Sequence, residues 1–116
     1  MGIGISIRTE EKDKKQVIRL EGRIDAACTP ILETKLEELL KAGHTRLVID
    51  FSRVDYISSA GLRFLLSATK KAKAAKGMLT LSSIQDEVME IIKMAGFERI
   101  LHIFPNEEKA LAALEA

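Results

Sequence analysis

The first twenty residues contain two stretches in which the apolar pattern predicts a strand. Residues 3–10 alternate between two faces, and one face carries Ile3, Ile5 and Ile7. A period of two is typical of a strand with one face in water. Residues 16–20 are again rich in apolar side chains, and the charged run Glu10–Lys15 between the two stretches favours a hairpin turn. Gly22 then predicts a bulge or a close approach of two backbones.

Four later stretches carry apolar residues three and four positions apart, as a helix with one buried side does. The first begins at Thr29-Pro30, because threonine is a good N-cap and proline suits the first helical turn, and Gly43 ends it. Its buried face consists of Leu32, Leu36, Leu39 and Leu40. The other three run from Ser58-Ser59 to near Gly77, from Gln85 to Ala95 and from Asn106 onward.

The stretch Arg46–Lys76 organises the chain, because it joins a buried strand to the second helix. Residues 47–49 are Leu-Val-Ile without a turn residue, which is typical of a strand buried on both faces. A polar connection is then marked by Asp50, Ser52 and Asp55. After a short extended piece, Tyr56-Ile57, the helix buries Leu62, Leu65, Leu66 and Thr69. Ser58 and Ser59 are therefore predicted to stand at the positive end of a helix, at the edge of a packed sheet.

Further strands are predicted at residues 78–81 and 99–104, so the order of elements is ββαβαβαβα. Strands separated by helices need parallel crossovers, while the first two strands can add an antiparallel edge. The sequence therefore predicts a single α/β domain over residues 1–116. It should have a mixed, mostly parallel central sheet, an antiparallel N-terminal edge and about four helices.

Composition excludes several classes of function. Of the 116 residues, 47% are hydrophobic, and 18 basic against 17 acidic residues leave a net charge of +1. This balance gives no field that would attract nucleic acid or an acidic membrane. No apolar run approaches the roughly 18–20 residues that span a bilayer, and the N-terminus has no signal sequence. The cytoplasm is therefore the expected compartment.

The signatures of common enzymes are absent, so we expect no catalysis and no cofactor. There is no glycine-rich phosphate loop and no nucleophile elbow. His44 and His102 lack the spacing of metal ligands, and the single cysteine, Cys28, is expected to pack as a small apolar residue. Three carboxylates near strand ends could either bind a metal ion together or accept hydrogen bonds from the backbone of their own turns. Hydrogen bonding within turns is the favoured interpretation. These carboxylates belong to Asp25, Asp50 and Asp55.

One long motif resembles a known family. The segment DFSRVDYISSAGL, residues 50–62, is similar to the signature of STAS domains, specifically the bacterial anti-sigma factor antagonists. The segments LEGRID at residues 20–25 and GFERIL at residues 96–101 resemble two further parts of that family. Length and element order agree as well. The resemblance therefore covers essentially the whole chain and implies a STAS domain.

The resemblance implies a partner-switching protein. Members of the family bind an anti-sigma factor that is also a serine kinase, and this binding releases a sigma factor. The kinase inactivates the antagonist by phosphorylating it, and a serine phosphatase restores it. The family's acceptor lies two residues before the glycine of the motif, here Gly61, which implies Ser59. Ser58, which stands where the family often has aspartate, is the second candidate.

The residues alone also allow a structural role, because a serine at a helix start is a common N-cap. Capping and phosphorylation are compatible, with one serine for each. The resemblance implies a partner-binding surface at Asp25, Ser58, Ser59, Gly61, Leu62 and Arg63. The alternative function is a STAS subunit of a transport or signalling scaffold complex, which would not be phosphorylated.

Overall fold

Strands and helices follow one another in the predicted order. The computed structural model describes residues 4–115, so Ile3 lies outside the described residues. The strands are β1 (Ile5–Lys12), β2 (Lys15–Ile24), β3 (Arg46–Ile57), β4 (Met78–Ser82) and β5 (Ile103–Phe104). The helices are α1 (Thr29–Lys41), α2 (Ser59–Ala74), α3 (Asp86–Met94) and α4 (Glu107–Ala112). Within residues 4–115, no helix has the length and apolar character needed to cross a bilayer.

The strands form a mixed sheet in the order β1-β2-β3-β4-β5. β1 pairs antiparallel with β2 and the following strands pair in parallel, which confirms the predicted sheet. The turn between β1 and β2 is shorter than predicted, because Glu10–Lys12 continue the strand. Only Asp13 and Lys14 turn, with φ angles of 52° and 67°. Two positive φ angles suit a type I′ turn, whose twist matches that of the flanking strands.

Side chains of β3 alternate between two unequal cores. Leu47 and Ile49 belong to the larger core, to which α1, α2 and α3 also contribute. Val48 belongs to a smaller core on the opposite face. There it packs with Val17, Ala110 and Leu114. The central strand is therefore buried on both faces, as its apolar run predicts.

β3 runs without a break through residues 46–57, so the predicted polar connection within it is wrong. The polar residues fit the strand because they have partners there. Asp50 pairs with Arg19 of β2 at 3.0 Å, and its Oδ1 accepts a hydrogen bond from the Ser52 backbone N–H at 2.9 Å. Asp55 is exposed. Asp50 therefore follows the apolar run 47–49 because it forms an ion pair within β3, and the strand does not end there.

Gly22 lies at a bulge, as predicted. The pairing of β2 with β3 shifts between Gly22 and Arg23, and an earlier shift lies between Arg19 and Glu21. Gly22 has φ +118°, and a Cβ there would stand 2.1 Å from the carbonyl oxygen of Gly4. Both the backbone conformation and the close approach of β1 therefore require glycine at this position.

The start of α1 differs from the prediction by one residue. Its N-cap is Cys28, not Thr29, because the Thr29 hydroxyl donates a hydrogen bond to the carbonyl of Ala26 and does not cap the helix. Pro30 lies in the first turn, as predicted. Gly43 follows the last turn, also as predicted, and its N–H donates to a carbonyl of the helix.

The last strand is shorter than the predicted one. β5 contains only residues 103–104, because residues 98–101 form a turn. In that turn the Leu101 N–H donates to the Phe97 carbonyl at 3.1 Å. His102 therefore lies just before the strand and not inside it, and its carbonyl accepts a hydrogen bond from β4.

An ion-pair network ties α4 to the first three strands. Arg19 of β2 pairs with Glu10, Asp50 and Glu107 at 3.0, 3.0 and 2.7 Å. Lys12 adds a contact to Glu107 at 2.6 Å. The hydrogen bond from Arg19, together with that from Lys12, holds the pKa of Glu107 below its usual value, although partial burial acts in the opposite direction.

Because the pKa of Glu107 is lowered in the folded state, its contribution to stability is complete at neutral pH. This stabilisation is lost as the pH falls through the ordinary pKa of a glutamate, about 4, and on to the lowered pKa of Glu107. We expect Glu107→Gln to lower the unfolding free energy at pH 7 by about 1–2 kcal/mol, as for a lost hydrogen bond to a charged group. The difference from the natural chain should shrink towards pH 3 in urea unfolding. Glu108→Gln, at an exposed neighbour, is the control, and an equal loss there would contradict the network's role.

Candidate functional site

Ser58 is the N-cap of α2. Its backbone is extended, with φ −91° and ψ 174°, and its Oγ accepts a hydrogen bond from the Gly61 N–H at 3.1 Å. The Ser58 N–H donates to the carbonyl oxygen of Ile24, at the end of β2, at 2.8 Å. One residue therefore fixes the first turn of the helix to the sheet, as expected for a serine cap.

Ser59 is the first residue of α2, and it is exposed. Within residues 4–115 its hydroxyl makes no hydrogen bond. Because the Ser58 side chain caps the helix by accepting the Gly61 N–H, the hydroxyl of Ser59 is left available to another molecule. The two serines thus differ in a way that their adjacent positions in the sequence do not reveal.

Gly61 is the point at which α2 touches the sheet. The residue is buried, and a Cβ built on it would stand 2.7 Å from Ile24 Cγ2 and 2.7 Å from Ile57 Cγ1. Ile24 and Ile57 are paired neighbours at the ends of β2 and β3. A side chain at position 61 would therefore push the first helical turn, and the serines with it, away from the strands.

Two further residues of the predicted surface have opposite environments. Leu62 is only 6% exposed and belongs to the larger core, so it supports the site from below and can offer a partner little surface. Arg63 is exposed. The buried side of α2 also includes Phe64, Ala68 and Ala72. These three were not among the residues predicted to be buried in this helix. Two that were, Leu66 and Thr69, are only partly buried.

Asp25 directly follows the end of β2 and stands beside the serines. Its predecessor Ile24 pairs with Ile57, the residue before Ser58, so the two segments leave the sheet side by side. The Asp25 Oδ1 accepts hydrogen bonds from the N–H groups of Ala27 and Cys28, at 3.1 and 3.3 Å. Its carboxylate thus stabilises the turn that leads into α1, as predicted.

The three predicted carboxylates do not converge. Asp50 is paired with Arg19, Asp25 holds the turn before α1, and Asp55 is exposed. In the described part of the chain, no group of three or more His, Cys, Asp or Glu residues is arranged to hold a metal ion.

Cys28 packs inside the molecule, as predicted. It is fully buried, and its thiol lies 3.6 Å from the carbonyl oxygen of Arg23 and 3.4 Å from that of Asp25. Burial raises the pKa of the thiol. A buried thiol with a raised pKa is a poor nucleophile, so Cys28 is a structural neighbour of the site.

One contact near the site is not predictable from the sequence pattern. The Arg23 guanidinium lies over the ring of Tyr56, 4.1 Å from its centroid, at the ends of β2 and β3. The two residues are register partners across these strands. Only the bulged register brings them together, so no spacing in the sequence could have revealed this cation–π pair.

A model of the STAS domain family matches residues 6–110. This is most of the chain, and the chain belongs to that family. BtrV of Bordetella bronchiseptica, provisionally named an anti-sigma factor antagonist, is 32% identical over 111 residues, which are 96% of each chain. The family resemblance drawn from the motif at residues 50–62 is thereby confirmed.

Solved structures share the fold. An anti-sigma factor antagonist from Mycobacterium paratuberculosis superposes with a TM-score of 0.86 at 24% identity, covering 97% of this chain and 95% of the other. The Bacillus cell fate determinant SpoIIAA in its phosphorylated form superposes with a TM-score of 0.70 at 20% identity, covering 95% and 100%. At this level of identity, both comparisons establish the α/β fold of the chain.

The contact at Gly61 leads to a prediction about stability. Gly61→Ala should lower the unfolding free energy by about 1–2 kcal/mol, because overpacking at the two isoleucines outweighs the better helix propensity of alanine. Urea denaturation measures the change. Gly4→Ala is the control, since nothing lies within 4 Å of a Cβ there. An alanine at 61 that left stability unchanged would show that the first turn of α2 is not pressed onto the strands.

Proposed function

We propose that this chain is an anti-sigma factor antagonist that binds an anti-sigma factor with serine kinase activity and is inactivated by phosphorylation of Ser59. The observation that carries the proposal is the division of roles at the start of α2. Ser58 is engaged as the cap, whereas Ser59 is exposed and has a free hydroxyl among the described residues. Similarity to BtrV over 96% of both chains supports the class of function.

The proposed partner surface surrounds that hydroxyl. Arg63 lies on the same helix and is exposed, and Asp25 stands at one side on the segment after β2. A specific contact centred on Ser59 would cover roughly 800 Å² on each partner. The buried Gly61 and Leu62 hold this surface in place from within.

The covalent chemistry belongs to the partners in this proposal. The kinase transfers phosphate to the Ser59 hydroxyl, and a serine phosphatase removes it. The chain itself needs only a presented hydroxyl, so it requires neither a cofactor nor a catalytic group. We place this exchange in the cytoplasm, where sigma factors act on transcription, and we propose no direct contact with nucleic acid or membrane.

Phosphosite mapping tests the proposal. The chain is incubated with ATP and each candidate anti-sigma serine kinase of its host, after a pull-down that measures binding. We expect phosphate on Ser59 in the natural chain, and we expect Ser59→Ala to bind the kinase without being modified.

Ser58→Asp is the matched control, because aspartate is as good an N-cap as serine and removes the neighbouring hydroxyl. It should still be phosphorylated. Phosphate found on Ser58 would contradict the assignment of the acceptor. A chain that no host kinase binds or modifies would support the alternative, a STAS subunit of a transport or scaffold complex.

Phosphate on Ser59 should change the surface and leave the fold intact. The phosphate adds about −1.5 to −2 charges at a helix N-terminus, a favourable position worth about 0.3–1 kcal/mol, while Asp25 opposes it. The melting temperature should therefore stay within a few degrees. Burying the added charge in the interface should weaken kinase binding by about a hundredfold or more.

Circular dichroism and calorimetric titration measure these two effects. Ser59→Asp should reproduce the loss of affinity only in part, because it carries one charge and a shorter side chain. A steep fall of the melting temperature in the phosphorylated chain would show a conformational switch in place of an electrostatic one.

A further inference from the structure

Arg63 lies one helical turn after Ser59 and has no partner in the part of the chain that the structure describes. It is exposed, and its guanidinium makes no hydrogen bond or ion pair within residues 4–115. Three cations elsewhere in the described chain are engaged: Arg19 is paired with three carboxylates, Arg23 lies over Tyr56 and Lys71 pairs with Glu37 of α1. Among the described residues, Arg63 is therefore an exposed, unpaired cation four residues after the proposed acceptor.

The spacing of the two residues brings their side chains together. Residues four apart in an α-helix are surface neighbours, about 5–6 Å apart at Cβ, and an acid four residues before a base is the favourable order. Side chains of a helix also lean towards its N-terminus. The long side chain of Arg63 can therefore reach back to the turn that begins with Ser59.

Two carboxylates near the ends of β2 and β3 would repel a phosphate on Ser59. Asp25 follows the strand that neighbours Ser58, and Asp55 is exposed two residues before the end of β3. Neither carboxylate has a cation paired with it in the described residues. A dianion on Ser59 is thus repelled from the strand ends and attracted along the helix, towards Arg63.

We propose that Arg63 is the intramolecular counter-ion of phospho-Ser59, which holds the phosphate along the first turns of α2. This inference rests on the proposed function, because it assumes that phosphate is placed on Ser59. Its consequence is that phosphorylation acts twice on the partner surface. It adds a negative charge there, and it engages the exposed cation that the partner would otherwise contact.

The pKa of the phosphate tests the inference directly. Phosphoserine is introduced at position 59 during translation, by suppression of a stop codon, so that no kinase is needed. The second ionisation of the phosphate is then followed by ³¹P NMR in the otherwise natural chain and in Arg63→Gln, Arg63→Lys and Lys70→Gln. Lys70 is the matched control, because it is an exposed cation of the same helix, roughly 16 Å along the axis from Ser59.

The dianion is stabilised by a neighbouring cation, so its pKa should be lower in the natural background than in Arg63→Gln. We expect a difference of about 0.5 pH unit, which is about threefold in the acid dissociation constant. Arg63→Lys should restore part of the difference, and 0.5 M salt should reduce it. In ¹H–¹⁵N spectra the Arg63 Nε–H resonance should move with the same titration.

Equal pKa values in the natural background and in Arg63→Gln would overturn the inference. So would a shift of the same size in Lys70→Gln, since a general effect of charge would then explain the result. Neither outcome depends on whether a host kinase recognises Ser59. If no host kinase phosphorylated Ser59, the proposed function would be contradicted. The measured contact between phospho-Ser59 and Arg63 would still stand.

Discussion

The first turn of α2 must lie against the ends of β2 and β3, and only a residue without a side chain permits that approach. At position 61 a Cβ would meet two isoleucine side chains at 2.7 Å. Because the turn is held so close, the Ser58 N–H reaches the carbonyl of Ile24 and its Oγ reaches the Gly61 N–H. The position of Ser59 follows from these contacts, although its own hydroxyl makes none among the described residues.

The two faces of the sheet are stabilised by different forces. Apolar packing of α1, α2 and α3 holds the face that carries the site, and this packing does not depend on the ionisation of any side chain. The other face has a small apolar core under α4, and ion pairs between Arg19, Glu107 and the strands supplement it. Acid therefore acts first on the face that lies away from the serines.

Periodicity was sufficient to predict the order of elements and the position of the serines, because both depend on local pattern. It failed where a polar residue had a distant partner. Asp50 resembles a turn residue, yet Arg19, 31 residues earlier, keeps it inside a strand. The role of Ser58 as the cap and the burial of Leu62 likewise depend on how α2 meets the sheet, which no local spacing specifies. The family motif supplied the acceptor position that the residues alone left open between two serines.

The long central strand also gives the molecule two unequal ends. β3 continues through residues 51–57 after its last pair with β4, Asp50 with Ser82, so the sheet narrows from five strands to three. At about 3.3 Å per residue, this extension carries the start of α2 roughly 20 Å past the end of β4. In the proposed complex, a kinase that binds at Ser59 would therefore approach the narrow end, and β4 and β5 would lie behind it, outside the contact.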